Sequence, residues 1–256
     1  SHSKENILEK FFSKFVQNKK KLQWKHPFHI VAPSQWIADR AQKSLLMKDW
    51  PISIIKNPIN TKKWIPENQF ASRKFLNLPQ EVSLILFGAA GGTSDPRKGF
   101  IFLQEAIKNI KKDDQIELVI YGGSSSEIFT DLDIAVHNLG YISDTQKLKK
   151  LYSACDVLVV PSIQDNLPNT AVESLACATP VVAFDVCGMP DLILHKKTGY
   201  LAKAFDSQDI LNGIYWVINS DISEDIKLHC RSHILENFSY EVVGEKYKNL
   251  YKQILR

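Results

Sequence analysis

From Val82 to Phe184 the chain alternates short runs of Val, Ile and Leu with segments of helical period, and this alternation restricts the fold more than any other feature. The order reads strand 83–88, helix 99–110, strand 116–121, strand 135–139, helix 145–154, strand 156–160, helix 170–177 and strand 180–184. In Asp156-Val157-Leu158-Val159-Val160 the residues after the aspartate are apolar on both parities, so the strand must be covered on two faces, as in a parallel sheet. Strand–helix–strand units of this kind wind right-handed and lay helices on both sides of the sheet. The expected fold is therefore α/β, a Rossmann-like doubly wound parallel sheet.

Upstream, Ile7, Leu8, Phe11, Phe12, Phe15 and Val16 recur at helical spacing, a strand is expected at 28–32, a helix from Ser34 to about Met47, and a strand at 52–55. Asn57-Pro58-Ile59-Asn60 and Trp64-Ile65-Pro66 interrupt all periodicity, so 57–81 reads as a linker between a segment 1–56 and a domain 82–256. A short strand at Tyr200-Leu201 and helices near 207–219, 223–236 and 240–254 complete that domain.

With 256 residues and 44 % hydrophobic composition, the chain can build one large α/β domain or one and a half small ones. Its net charge of +4 is interspersed, except that Lys14, Lys19, Lys20, Lys21 and Lys25 cluster near the start. Such a cluster suits anionic lipid headgroups or an acidic acceptor, against the plainer reading of a solvated helix face. Cys155, Cys177, Cys187 and Cys230 have no CxxC spacing, and three lie among apolar or small residues. Buried thiols are expected, not zinc or disulfides. No apolar stretch reaches the roughly 18–20 residues of a membrane span, and no signal-peptide core is present. A cytoplasmic protein is expected, with peripheral contact at the inner face of the membrane as the secondary expectation. The opening Ser1-His2-Ser3 lacks methionine and reads as a tag remnant or a fragment boundary.

Chemistry concentrates in two loops. After strand 156–160 comes Pro161-Ser162-Ile163-Gln164-Asp165-Asn166-Leu167-Pro168-Asn169-Thr170-Ala171-Val172-Glu173, which sets two carboxylates eight positions apart around a helix start. Ligands of parallel sheets gather at strand C-terminal ends, and a helix N-terminus there offers unpaired N–H groups and the positive end of its dipole. A phosphate fits. The competing reading is that Thr170-Ala171-Val172-Glu173 is a capping box whose glutamate returns to the N-cap amide. After strand 83–88, the glycine-rich run Gly88-Ala89-Ala90-Gly91-Gly92 leads to Arg97-Lys98-Gly99, where Lys98 can supply positive charge to a diphosphate. The alternative is a flexible loop with solvated Arg97 and Lys98. Asp131-Leu132-Asp133 has the spacing of a metal-binding pair but lies in a polar connection, so it reads as solvated loop. The histidines show no ligand spacing, and no metal or cofactor is expected.

Together these features resemble the C-terminal half of the family-four (group 1) glycosyltransferases of GT-B fold, which are retaining enzymes with two Rossmann-like domains. The resemblance rests on Ala32-Pro33-Ser34-Gln35-Trp36, Ile55 to Asn60, Lys98-Gly99, Leu139-Gly140-Tyr141, Asp156 through Gly188-Met189-Pro190-Asp191, and Thr198-Gly199-Tyr200-Leu201. It implies that Lys98, Asp165 and Glu173 form the catalytic set. Lys98 would neutralise the leaving diphosphate, Asp165 would face the donor sugar, and Glu173 would accept hydrogen bonds from the ribose hydroxyls. Donor contacts are implied for Gly88, Ala89, Arg97, Tyr141, Ile142, Asn166, Leu167, Asn169 and Thr170. Asn166, Leu167 and Asn169 would offer amides to the phosphates, and Tyr141 and Ile142 would border the base. Three positions depart from the family pattern. The first acid is the shorter aspartate, Ala89 stands where the family has arginine with Arg97 as its candidate substitute, and Ala178 replaces a usual glycine.

The activity implied is transfer of a hexose from a UDP- or GDP-linked donor to a glycan or lipid-linked acceptor, with retention, in surface polysaccharide or lipopolysaccharide synthesis. The nucleotide sugar is a substrate and not a cofactor, and no nucleic-acid partner is implied. Residues 1–56 match only the tail of the family's N-terminal acceptor domain, so the chain is expected to be a donor-binding fragment that needs the missing domain as its partner. Two alternatives stand beside this: a nucleotide-binding module inactive alone, and a sugar-nucleotide epimerase of the same fold.

Overall fold

The computed structural model describes residues 7–24, 26–88, 95–123, 132–219 and 223–255. Two compact units divide the chain, residues 1–55 and residues 56–256. The first holds helix α1 (Ile7–Gln23), strand β1 (Ile30–Ala32), helix α2 (Gln35–Gln42) and strand β2 (Ile52–Ile54). Its two strands pair in parallel, Ile30 opposite Ile52, and Ser34 caps α2 by accepting from the Ile37 amide at 3.2 Å.

The second unit contains α3 (Gln69–Leu76), β3 (Ser83–Gly88), α4 (Phe100–Ile107), β4 (Ile116–Tyr121), β5 (Val136–Asn138), α5 (Thr145–Ala154), β6 (Val157–Val160), α6 (Asn169–Ala176), β7 (Val181–Phe184), α7 (Met189–Leu192), β8 (Gly199–Ala202), α8 (Ser207–Ile218), α9 (Ser223–Phe238) and α10 (Tyr240–Ile254). Its strands form one parallel sheet in the order β5-β4-β3-β6-β7-β8. The chain steps outward from β3 to β5, then returns across β3 to lay down β6, β7 and β8. That reversal between β3 and β6 is the switch point of a doubly wound sheet.

Both faces of the sheet are covered because both parities of its strands are apolar. Leu84 and Leu86 of β3 and Leu158 and Val160 of β6 pack in one layer with Leu151, Tyr152, Ala171 and Leu175. Ile85, Phe87, Val157 and Val159 enter the opposite layer with Leu103, Ile107, Ile210 and Ile214 of α4 and α8. Each of these aliphatic side chains contributes on the order of 1.5–3 kcal/mol by leaving water.

Part of the span expected to be a linker is built into this unit. Asn68 caps α3 through the Ala71 amide at 2.9 Å, and Asn77 closes it in the left-handed region at φ 55°. The buried Arg73 guanidinium donates to the carbonyls of Ala154 (2.8 Å), Gln80 (2.8 Å) and Val82 (2.9 Å) and to Asp156 Oδ2 (2.8 Å). Asp156 Oδ2 also accepts from the Leu84 amide at 2.6 Å. The aspartate that opens β6 thus ties α3 to the foot of β3. Cys155, Cys177 and Cys230 are buried and Cys187 is partly exposed; burial pushes the Cys177 thiol up to about 12. No described helix is long and apolar enough to cross a membrane.

Candidate active site

All six strands run parallel, so β3 and β6 end at the same edge, on either side of the switch point. The loops leaving them touch through their backbones. Gly99 sits at φ 66°, and a Cβ there would lie 1.9 Å from the Pro161 carbonyl oxygen, so only glycine fits. The Ile163 amide donates to the Arg97 carbonyl at 2.8 Å. A third loop joins them: the Gly188 amide donates to the Asp165 carbonyl at 3.3 Å, and a Cβ on Gly188 would fall 1.9 Å from the Asn166 carbonyl oxygen.

This packing brings Lys98 and Asp165 together, with Lys98 Nζ 2.7 Å from Asp165 Oδ2. Asp165 Oδ1 accepts from the Asn166 amide at 2.9 Å, so that amide already serves the carboxylate. Arg97 is placed differently. Its guanidinium is 77 % exposed and donates to Asp95 at 3.1 and 2.9 Å, which holds the Asp95 carboxyl below its ordinary range. Ala89 lies outside the described residues, as do Asp131 and the glycines at 91 and 92.

The second acid is on α6, and the capping-box reading of its first turn is corrected. The helix starts at Asn169, with Pro168 as its N-cap and no side-chain cap, so Thr170 is already inside it. Glu173 does not turn back to the backbone at 170. Its Oε2 accepts from the Tyr152 hydroxyl at 2.9 Å, and the Tyr152 hydroxyl lies 2.7 Å from that of Tyr121. Burial pushes the Glu173 carboxyl up to about 7, against the pull of the Tyr152 hydrogen bond and the Lys63 charge. Carboxyls shifted in this way cluster at functional sites, which makes Glu173 a candidate.

Glu173 opens into a cavity of about 340 Å³, together with Asn57, Asn60, Lys63, Trp64 and Asn169, over Leu167, Val172 and Phe238. The 57–64 segment is fixed there by Arg231, which donates to the carbonyls of Thr61 (2.7 Å), Trp64 (2.6 Å) and Ala176 (2.9 Å). The Ile59 amide adds a bond to the Phe238 carbonyl at 2.8 Å. The Asn57 to Asn60 motif thus lines the site, and Lys63, Trp64 and Tyr152, which no local sequence signal marks, join it. The chain breakers at 57–66 hid a structured wall.

The remaining candidates lie along the same edge. Gly88 ends β3, where a Cβ would meet the Tyr121 ring at 1.8 Å. Tyr141 is 77 % exposed while Ile142 is buried, and the Gly122 amide donates to the Gly140 carbonyl at 2.9 Å, which ties their loop to the end of β4. Leu167 is buried. Among the described residues no three His, Cys, Asp or Glu side chains cluster as a metal site.

A family model for glycosyl transferases group 1 matches residues 84–220, from β3 to just beyond α8. The chain belongs to that family. The match takes in Lys98, Asp165 and Glu173 of this group 1 glycosyl transferase chain. An uncharacterized glycosyltransferase of Methanocaldococcus jannaschii is 28 % identical over 216 residues, 78 % of this chain and 54 % of that protein. A UDP-Gal:alpha-D-GlcNAc-diphosphoundecaprenol alpha-1,3-galactosyltransferase of Escherichia coli is 24 % identical over 222 residues, 82 % of this chain and 56 % of that one. The chain thus spans little more than half the length of these curated relatives. Among solved structures, sucrose-phosphate synthase from Thermosynechococcus elongatus superposes with a TM-score of 0.78 at 24 % identity, covering 95 % of this chain and 62 % of its own. The shared architecture is the GT-B glycosyltransferase fold.

Proposed function

We propose that this chain is the donor-binding part of a retaining glycosyltransferase that takes a hexose from a UDP-linked donor, with GDP as the alternative nucleotide, to a lipid-linked or glycan acceptor in surface polysaccharide synthesis. The observation that carries the reading is the Lys98–Asp165 ion pair at the switch point, in the loop that leads four residues later into the helix bearing Glu173. Crevices at such switch points receive nucleotides, and a helix N-terminus favours their phosphates.

In this reading the diphosphate lies between Lys98 and the first turn of α6. The ammonium carries three N–H donors, so contact with Asp165 is compatible with contacts to diphosphate oxygens. As the bond from the sugar to the diphosphate breaks, negative charge grows on the leaving group, and a fixed cation beside it lowers the barrier by roughly several kcal/mol in a closed site. Asp165 is held to Lys98 and the Asn166 amide, and faces the sugar. Glu173, ionised, accepts the ribose hydroxyls. The E. coli relative's name specifies a UDP-linked donor and a diphosphate-lipid acceptor, which supports both choices here. Such an acceptor would bring the enzyme to the inner face of the membrane.

Calorimetric titration with UDP, GDP and ADP, each with and without magnesium, tests the reading. Saturable binding of UDP or GDP that does not need magnesium supports it, whereas binding of none of the three by the folded chain overturns it. An epimerase would interconvert the nucleotide sugar with no acceptor present, so sugar analysis after incubation separates that alternative.

A further inference from the structure

We infer that Tyr152, backed by Tyr121, is the positioning residue for Glu173: the Tyr152 hydroxyl, itself held by that of Tyr121, fixes one carboxylate oxygen and leaves the other for the ribose diol. This rests on the reading of Glu173 as the ribose ligand.

Proton counting fixes the direction of the chain. Tyr152 has one hydroxyl proton and gives it to Glu173 Oε2 at 2.9 Å. At 2.7 Å, the Tyr121 hydroxyl must then donate to the Tyr152 oxygen. With the carboxyl ionised, above its midpoint of about 7, the relay runs Tyr121 to Tyr152 to Glu173. A buried tyrosine needs only one partner for its hydroxyl, and a backbone carbonyl would serve. Here two phenols from different elements, β4 and α5, are spent on a single carboxyl at the mouth of a cavity.

The surroundings keep the relay in place. The Tyr152 side chain is fully buried, its ring meets Trp64 edge-on at 5.8 Å, and its carbonyl accepts from Thr179 Oγ1 at 2.7 Å. The Tyr121 ring occupies the space a Cβ on Gly88 would need. Gly88, having no Cβ, leaves that space to Tyr121. Among the described residues, the titratable and charged groups that face Glu173 or share its cavity are Tyr152, Tyr121 behind it, Lys63 and Tyr240 from the cavity wall and Cys177 at the end of its own helix, with Arg231 acting on Cys177. Tyr152 donates to the carboxylate at 2.9 Å, so removing its hydroxyl withdraws a donor from the ionised form and raises the carboxyl further.

The test uses the 256-residue chain with Tyr152→Phe and Tyr121→Phe, each checked for folding by thermal melting. Carbon-13 NMR of labelled glutamate, with Glu173→Gln for assignment, reads the Glu173 titration without any nucleotide. Calorimetry compares UDP and GDP with their 2′-deoxy forms. The expected result is a Glu173 midpoint near 7 in the parent that moves upward in Tyr152→Phe, and a loss of roughly tenfold in the preference for the ribose hydroxyl. Tyr121→Phe, which leaves Tyr152 in place, is expected to shift both in the same direction by less, and it serves if Tyr152→Phe does not fold. An unchanged midpoint and unchanged ribose preference in a folded variant overturn the inference. A parent that binds UDP and its 2′-deoxy form equally removes the ribose role of Glu173 itself, and is told apart because the midpoint still moves in Tyr152→Phe.

Discussion

Lys98 and Asp165, 67 residues apart, meet at 2.7 Å across the switch point of the sheet. Each is the other's counter-ion, and both keep part of their surface in solvent. Lys98→Ala removes the cation and leaves the aspartate charge facing the diphosphate. UDP affinity is therefore expected to fall about tenfold or more while uridine affinity changes little. Titration of the variant with both ligands checks this, and equal losses would remove Lys98 from the phosphates.

Glu173→Ala is expected to give the complementary pattern. Losing the ribose partner should weaken UDP and uridine alike, by about 1–3 kcal/mol. A variant that binds both as well as the parent would reduce Glu173 to a buried polar group.

The same carboxyl sets a pH dependence of stability. Its folded value of about 7 lies above its ordinary 4.5, so its favourable contribution is present below about 4.5 and is lost as pH rises through about 7. The difference amounts to about 3 kcal/mol. Glu173→Gln, which stays neutral, should gain on the parent by that order between pH 4 and pH 8. Urea denaturation of both proteins over that range measures it, and a pH-independent difference would contradict the raised carboxyl.

Gly99→Ala should destabilise the chain by about 2–4 kcal/mol, from the left-handed backbone and the clash with the Pro161 carbonyl. Denaturant midpoints give the figure. A cost below about 1 kcal/mol would mean that the two loops part easily.

Arg73→Met should cost about 3 kcal/mol or more, because the carboxylate of Asp156 loses its guanidinium partner at the foot of β3 and β6. Nucleotide binding by the folded fraction is expected to persist, since this pair lies at the start of the strands and the site at their ends. Parallel melting and titration of the variant separate the two effects.

The sheet was readable in advance because its information is local. Strands 83–88 and 116–121 and helix 145–154 fall where the apolar periods place them. Helix α3 was missed although its signals were present: Asn68 at the N-cap, Arg73 and Lys74 in the last turn, Asn77 at the close. The prolines at 58 and 66 drew the segment toward loop. The one-turn helix α7 at 189–192 carries Pro190 and too few residues to show a period. The acids at 165 and 173 were legible from spacing and family pattern, but their partners were not. Lys98 reaches Asp165, and Tyr152 reaches Glu173, only through strand order, which no local window contains. Thr170 was weighed as a helix cap because the tetrapeptide fits the rule; Pro168 started the helix two residues earlier.

The backbone contact between Gly99 and the Pro161 carbonyl means that the two loops cannot be exchanged separately. Grafting the 161–169 loop of a relative onto this scaffold, in order to change which sugar is accepted, would bring a new carbonyl path against an old glycine and a new acid against Lys98. The smallest transferable cassette is discontinuous: the 95–99 turn, the 161–169 loop and the 187–189 turn that closes over Asn166.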